Sequence, residues 1–299
     1  MQADWLVSPK RRNSLTALAF LAVPLVVYLI FVIAPVAYSF IFSFTDYDGA
    51  SPSYNFVGVA NFKQALGSPY FWNALKNNAI WMGLFILVPT GLGLGLAKMV
   101  DGIPGENLFK TIIYFPMTLS FVVVGLIWSW IYLPEGGMLN LILDAIGLGA
   151  LKQAWLGNPS TALYAIIAAA SWQQTGFAMV LFLAGLRGIR PSVLEAAEVD
   201  GANGWQRFWH VIFPLLRSTT AVVISITVIN SLRVFDLVYI VTQGGPNRAS
   251  EVLGSLIYKE LFWNFRVGYG SALSVILFLI TLIVIVFYMR TMIRSEEGY

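Results

Sequence analysis

Apolar residues in this chain fall into six long runs separated by shorter polar stretches. The runs cover about residues 15–44, 78–97, 111–132, 161–186, 214–235 and 271–289. Most come close to or exceed the roughly 20 residues that a helix needs to cross a hydrocarbon layer about 30 Å thick. Lipid offers no partners to backbone N–H and C=O groups, so each run predicts a helix that satisfies its own backbone. The expected fold class is therefore all-α, a polytopic membrane protein with six transmembrane helices. The first run is longer than the apolar core of a secretory signal, so it reads as an uncleaved span behind a polar segment, 1–14. A transmembrane domain then occupies 15–290, interrupted by a polar loop at 187–213, and a short charged tail follows at 291–299. Gly102, Pro104 and Gly105 make 98–110 a turn. Within the loop 133–160, residues 139–151 are mildly amphipathic and are expected to lie along the membrane surface or on a neighbour.

Composition agrees with that reading. Of 299 residues, 58% are hydrophobic and 11% charged, against about half and a quarter in soluble domains. With no cysteine, a disulfide framework, a thiolate metal site and a cysteine nucleophile are all excluded. One histidine and scattered carboxylates leave little material for a metal centre. The net charge of +3 matters less than its distribution. Six spans put both termini on one face. That face collects Lys10, Arg11, Arg12, Lys98, Lys110, Arg187, Arg190, Arg207, Arg217, Arg290 and Arg294. The positive-inside rule makes it cytoplasmic.

No phosphate-binding loop of the form G-x-x-x-x-G-K-[ST] occurs, so no cofactor is expected in this chain. Gly91, Gly93 and Gly95 lie inside an apolar span, where small residues serve helix packing. Polar residues inside spans carry more information, because an unsatisfied polar group in hydrocarbon is costly. Ala170, Gln173, Gln174 and Phe177 share one helical face of the fourth span. Thr227, Asn230, Ser231 and Val234 share one face of the fifth. Amides and hydroxyls beside aromatic rings suit a neutral sugar, and they equally suit hydrogen bonds between helices. Arg233 and Asp236, three residues apart, are expected to pair with each other, and a phosphate-bearing substrate would give Arg233 a second role. His210 is expected at the surface or in packing. Trp205, Phe208 and Trp209 would anchor their loop in the lipid interface or pack into a partner's groove.

One polar island runs from Pro191 to Pro214, between two long apolar runs. Pro191 suits a first helical turn, and Gly201 can end that helix in the left-handed conformation. A turn at Ala202-Asn203-Gly204 leads to a second short helix over Trp205 to Val211, so the island reads as a docking knob. Glu195, Ala196, Ala197, Gly201 and Pro214 fall on E-A-A-x3-G-x9-I-x-L-P, with Val211 and Phe213 replacing its Ile and Leu. This resembles the cytoplasmic coupling motif of binding-protein-dependent ABC importer permeases. Phe115-Pro116-Met117-Thr118-Leu119-Ser120 with Gly125, Trp128 and Trp130, and Phe235-Asp236 followed by Thr242-Gln243-Gly244-Gly245-Pro246, are similar to signatures of the carbohydrate permeases of the maltose and glycerol-phosphate group, first permease subunit. The likeness spans Leu15 to Arg290.

The resemblance implies the type I ABC importer permease fold and a multi-pass place in a bacterial or archaeal cytoplasmic membrane. It implies a second homologous permease, a pair of ATPase subunits holding ATP and Mg, and an extracytoplasmic sugar-binding protein as partners, with the lipid bilayer as surroundings and no nucleic acid. It makes the chain a transport subunit, not an enzyme. Glu195, Ala196, Ala197, Gly201 and Pro214 would couple to the ATPase. Gln173, Gln174, Phe177, Thr227, Asn230, Ser231 and Val234 would line the path of a di- or oligosaccharide. A permease for glycerol phosphate or another polar solute is the alternative. Two further classes are an ion-driven secondary carrier, which would want ionisable groups near mid-membrane that this chain lacks, and a membrane scaffold without transport.

Overall fold

The computed structural model describes residues 20–296, with side chains described to residue 290. The segment 1–14, the start of the first span, Lys10, Arg11 and Arg12 lie outside the described residues, as do the side chain of Arg294 and the last three residues of the tail. Among the described residues four helices are long and apolar enough to cross a membrane. Two bent pairs bring the number to as many as six.

Contacts divide the chain into two units, Met1–Gly67 with Lys259–Phe278, and Ser68–Tyr258 with Leu279–Tyr299. In the first unit, α1 (Phe20–Phe42) has no buried position between Leu29 and Phe42. Such an apolar surface belongs against lipid. Beyond it, Thr45 and Phe56 form an isolated antiparallel bridge. Asn61, in α2 (Ala60–Gly67), donates through Nδ2 to Ser43 O and Thr45 O at 3.0 and 2.8 Å. Asp48 accepts from Ser51 Oγ and from the N–H groups of Ser51 and Ala50, which holds its carboxyl down at about 2.

The second unit is built around α7 (Ala162–Arg187), the most deeply buried of the long helices. Burial from lipid lets it carry Ser171, Gln173, Gln174 and Thr175. α3 (Pro69–Val100) packs along it, and the approach is closest at Gly93, where a Cβ would lie 2.5 Å from Ala178 Cβ. Gly91 and Gly95 face open space. Two apolar clusters follow: one joins Trp81, Phe85, Val124 and Ile166 with Val238, and the other joins Ala97, Met179 and Phe182 with Leu216 and Val223.

The third apolar run, 111–132, is not one straight helix. α4 (Glu106–Thr118) and α5 (Phe121–Ile131) meet at 102°. Pro116 supports a tight 3-10 turn there, and Ser120 caps α5 by accepting from Val123 N at 3.3 Å. The fifth run, 214–235, is interrupted too. α9 (Gly204–Leu215) bends by 66° into α10 (Arg217–Leu232), and α11 (Asp236–Thr242) starts after a further break. α6 (Met138–Ala145), α8 (Pro191–Val199) and α12 (Leu253–Tyr258) are short, and α13 (Val267–Glu296) contributes to both units.

α3 begins nine residues before the run read from the sequence. Its first turns carry Asn73, Asn77 and Asn78, which bond to the loop 243–253. Asn73 Nδ2 donates to Arg248 O at 2.7 Å, and Asn77 Nδ2 donates to Ala249 O and Glu251 O at 2.9 and 2.8 Å. Asn78 Oδ1 accepts from Leu253 N at 2.8 Å. The Glu251 side chain is fully buried and pairs with Arg248 Nη1 at 3.0 Å, while the Arg248 guanidinium sits 3.9 Å over the Tyr70 ring.

Candidate functional site: a polar cavity and an exposed helical knob

Two adjoining cavities of about 220 and 490 Å³ lie where α3, α5, α7 and the α10–α11 break meet. Both are walled by Phe85, Phe121, Ala170, Asn230 and Asp236. The larger is within the range usual for small-molecule sites, about 300–1,000 Å³, and adds Gln173 and Gln174. The smaller adds Trp81, Arg233 and Val234.

Gln173 and Gln174 are both almost fully buried. Gln173 Nε2 donates to Leu119 O at 2.7 Å, which occupies a carbonyl freed by the α4–α5 break. Gln173 Oε1 and Gln174 Nε2 have no partner among the described residues. A buried amide left half-satisfied is costly; the two residues line the larger cavity, but these two atoms are closed to solvent here, so a guest's hydroxyl groups would reach them only if the side chains turned. Trp81, Phe85 and Phe121 bring aromatic rings to the walls, the first two almost fully buried in the apolar cluster behind them.

Of the residues marked from the sequence, Gln173, Gln174, Asn230 and Val234 come together on these walls. Phe177, half-buried, lines neither cavity. Thr227 and Ser231 are fully buried, and their hydroxyls return to their own helix, at Val223 O (2.7 Å) and Val228 O (2.8 Å). Arg233 and Asp236 correct an expectation: neither side chain forms an ion pair among the described residues, because the helix breaks between them and both turn to the cavity wall. Trp81 and Phe85, also on the wall, were missed; their i, i+4 aromatic spacing in the second run was the available signal.

The island at 191–214 folds as a two-helix knob. α8 starts with Pro191 at its first turn and ends in a Schellman arrangement. Gly201 N donates to Glu198 O and Ala202 N to Ala197 O, both at 3.0 Å, with Gly201 at φ +82°. Asn203 and Gln206 form a reciprocal capping box that opens α9. An ion pair between Glu198 and Arg207 joins the two helices. Glu195 and Ala196 are exposed, whereas Ala197 faces inward and is closed to a partner. Val199, overlooked in the sequence, is 88% exposed. Trp205, Phe208 and Phe213 each meet the ring of Trp209 on α9, edge-on or tilted. His210 is exposed, its Nδ1 3.0 Å from Gln206 O. Pro214 lies within α9, two residues before the bend at Leu216. At the base of the knob, Arg187 pairs with Asp101 (3.7 Å) and Glu106, and Glu106 with Lys110 (3.0 Å).

Residues 88–295 match the family model described as binding-protein-dependent transport system inner membrane component. A probable ABC transporter permease protein of Pyrococcus horikoshii is 38% identical over 279 residues, covering 93% of this chain and 96% of that one. An alpha-glucoside transport system permease protein of Rhizobium meliloti is 34% identical over 297 residues, covering 96% and 85%. The fold matches a chain of a bacterial alginate ABC transporter, solved in complex with an alginate pentasaccharide-bound periplasmic protein. The TM-score is 0.79, with 24% identity and 93% of each chain covered.

Proposed function

The chain belongs to the binding-protein-dependent transport system inner membrane component family, and we propose that within it this multi-pass permease subunit carries a di- or oligosaccharide inward, both termini cytoplasmic. The observation that carries the substrate class is the joint lining of the two cavities by amide side chains, Gln173, Gln174 and Asn230, and aromatic rings, Trp81, Phe85 and Phe121. Hydroxyl-rich, neutral guests use such groups without leaving a buried charge. Relatives named for alpha-glucoside transport and a neighbour solved with an alginate-bound protein support the reading. An ion-driven carrier is not favoured.

In this reading the α8–α9 knob, with Glu195, Ala196, Gly201 and Pro214, seats in a cleft of an ATPase subunit on a separate chain, which holds ATP and Mg. A second, homologous permease supplies the other half of the path, and an external sugar-binding protein delivers the substrate. ATP-driven closure of the ATPase pair moves the knob, and the Glu198–Arg207 pair and the Arg187–Asp101–Glu106 contacts pass that motion to α7 and α3. Purifying the chain from its native membrane in mild detergent tests this. Copurification of an ATPase, a second permease and a sugar-binding protein is the expected result. A chain that neither copurifies nor cross-links with an ATPase would overturn the reading.

A further inference from the structure

The stretch between α5 and α7 carries an apolar face that no part of its own unit covers. Met138, Leu141 and Ile142 stand at i, i+3, i+4 spacing on α6 and are 60%, 56% and 47% exposed. Ile146 and Leu151, just past the helix, extend the exposed apolar surface. The inward side is satisfied instead. Asn140 is buried, donates to Pro134 O (3.1 Å) and Gln153 O (3.0 Å), and accepts from Trp155 Nε1 at 2.8 Å.

The height of this helix is fixed by its neighbours. Gly137, its N-cap, is pressed on the end of α5, where a Cβ would lie 2.9 Å from Ile131 O and 2.7 Å from Leu133 N. The Tyr132 hydroxyl donates to Ala165 O, in the first turn of α7, at 3.0 Å. α6 is thus held between the end of α5, the second half of a bent pair, and the start of α7, which is long enough to cross a membrane; Trp130, near the end of α5, is exposed. Tryptophan is favoured at the boundary between headgroups and acyl chains. An apolar face exposed there continues the lipid-facing surface of the spans.

We propose that α6 is an interfacial helix, lying in the bilayer boundary with Met138, Leu141 and Ile142 directed into the acyl region. A helix of this kind sinks its apolar face about 5–10 Å below the headgroups. The inference does not depend on the substrate being a sugar.

The chain has no cysteine, so Leu141→Cys or Ile142→Cys creates a single site for an environment-sensitive fluorophore. Glu135→Cys, at an exposed polar position, is the control. The labelled full-length chain, with its copurifying subunits, is placed in phosphatidylcholine–phosphatidylglycerol vesicles. Shallow spin-labelled lipid should remove about half of the emission from Leu141→Cys or Ile142→Cys and aqueous iodide about a tenth, with the order reversed at the control. Iodide quenching equal to the control would put the face in water. Protection from both quenchers would put it under a protein partner. Either result overturns the proposal, and Met138→Cys gives an independent reading should one variant fail to fold.

Discussion

Gln173 reaches from the middle of α7 to the carbonyl of Leu119 at 2.7 Å, so a single side chain both closes the α4–α5 break and faces the cavity. Gln174, beside it, shares the cavity but does not touch the break. Gln173→Ala should lower thermal stability by about 1 kcal/mol and weaken transport as well. Gln174→Ala should leave stability within about 0.5 kcal/mol while raising the half-saturating substrate concentration about fivefold, the worth of one hydrogen bond. Unfolding in detergent and uptake in reconstituted vesicles check the two halves separately.

The approach of α3 to α7 rests on one of the four glycines of α3. Gly93→Val should cost about 1–3 kcal/mol, since the new side chain must displace Ala178 and the Met179 backbone. Gly91→Ala and Gly95→Ala face open space and should be neutral or slightly stabilising. Equal losses at all three positions would contradict this packing.

The knob predicts a separation of folding from transport. Glu195→Lys changes an exposed charge and should leave the subunit folded while cutting ATP-dependent uptake by about tenfold, through lost coupling. Gly201→Asp should do the same and add a strain of about 1 kcal/mol, because φ +82° suits glycine although space around it is free. Unchanged uptake in both variants would remove the knob from the coupling mechanism.

Arg248→Ala removes an ion pair from the fully buried Glu251 and the stacking partner of Tyr70. The loss should be about 2 kcal/mol, the worth of one hydrogen bond to a charged group with its ring contact, and Arg248→Ala with Glu251→Gln should regain part of it, because the buried group is then neutral. Melting temperatures of the single and double variants decide the matter.

The all-helical class and the knob were legible in the sequence because each depends on local pattern: runs of apolar residues, and a proline and glycine at fixed spacing. The bends were not, since a hydropathy run records how apolar a stretch is and not whether it is continuous. Pro116 and Pro214 marked the two places, but the turns form where Gln173 meets Leu119 and where Gly185 meets Thr219 and Leu216. The start of α3 was misplaced for a related reason. Asn73, Asn77 and Asn78 look like loop residues until the carbonyls and N–H groups that they satisfy come from 172 to 175 residues away. In the same way, three-residue spacing suggested a bond between Arg233 and Asp236 that holds only on an unbroken helix.

α3 spans 32 residues, about 48 Å at the rise of an α-helix, well beyond a hydrocarbon layer of about 30 Å. Its apolar run, about residues 78–97, is itself about 30 Å long, so most of the surplus stands at the N-terminal end, outside the hydrocarbon. The asparagines at that end grip the 243–253 loop, so any tilt of α3 carries that loop with it.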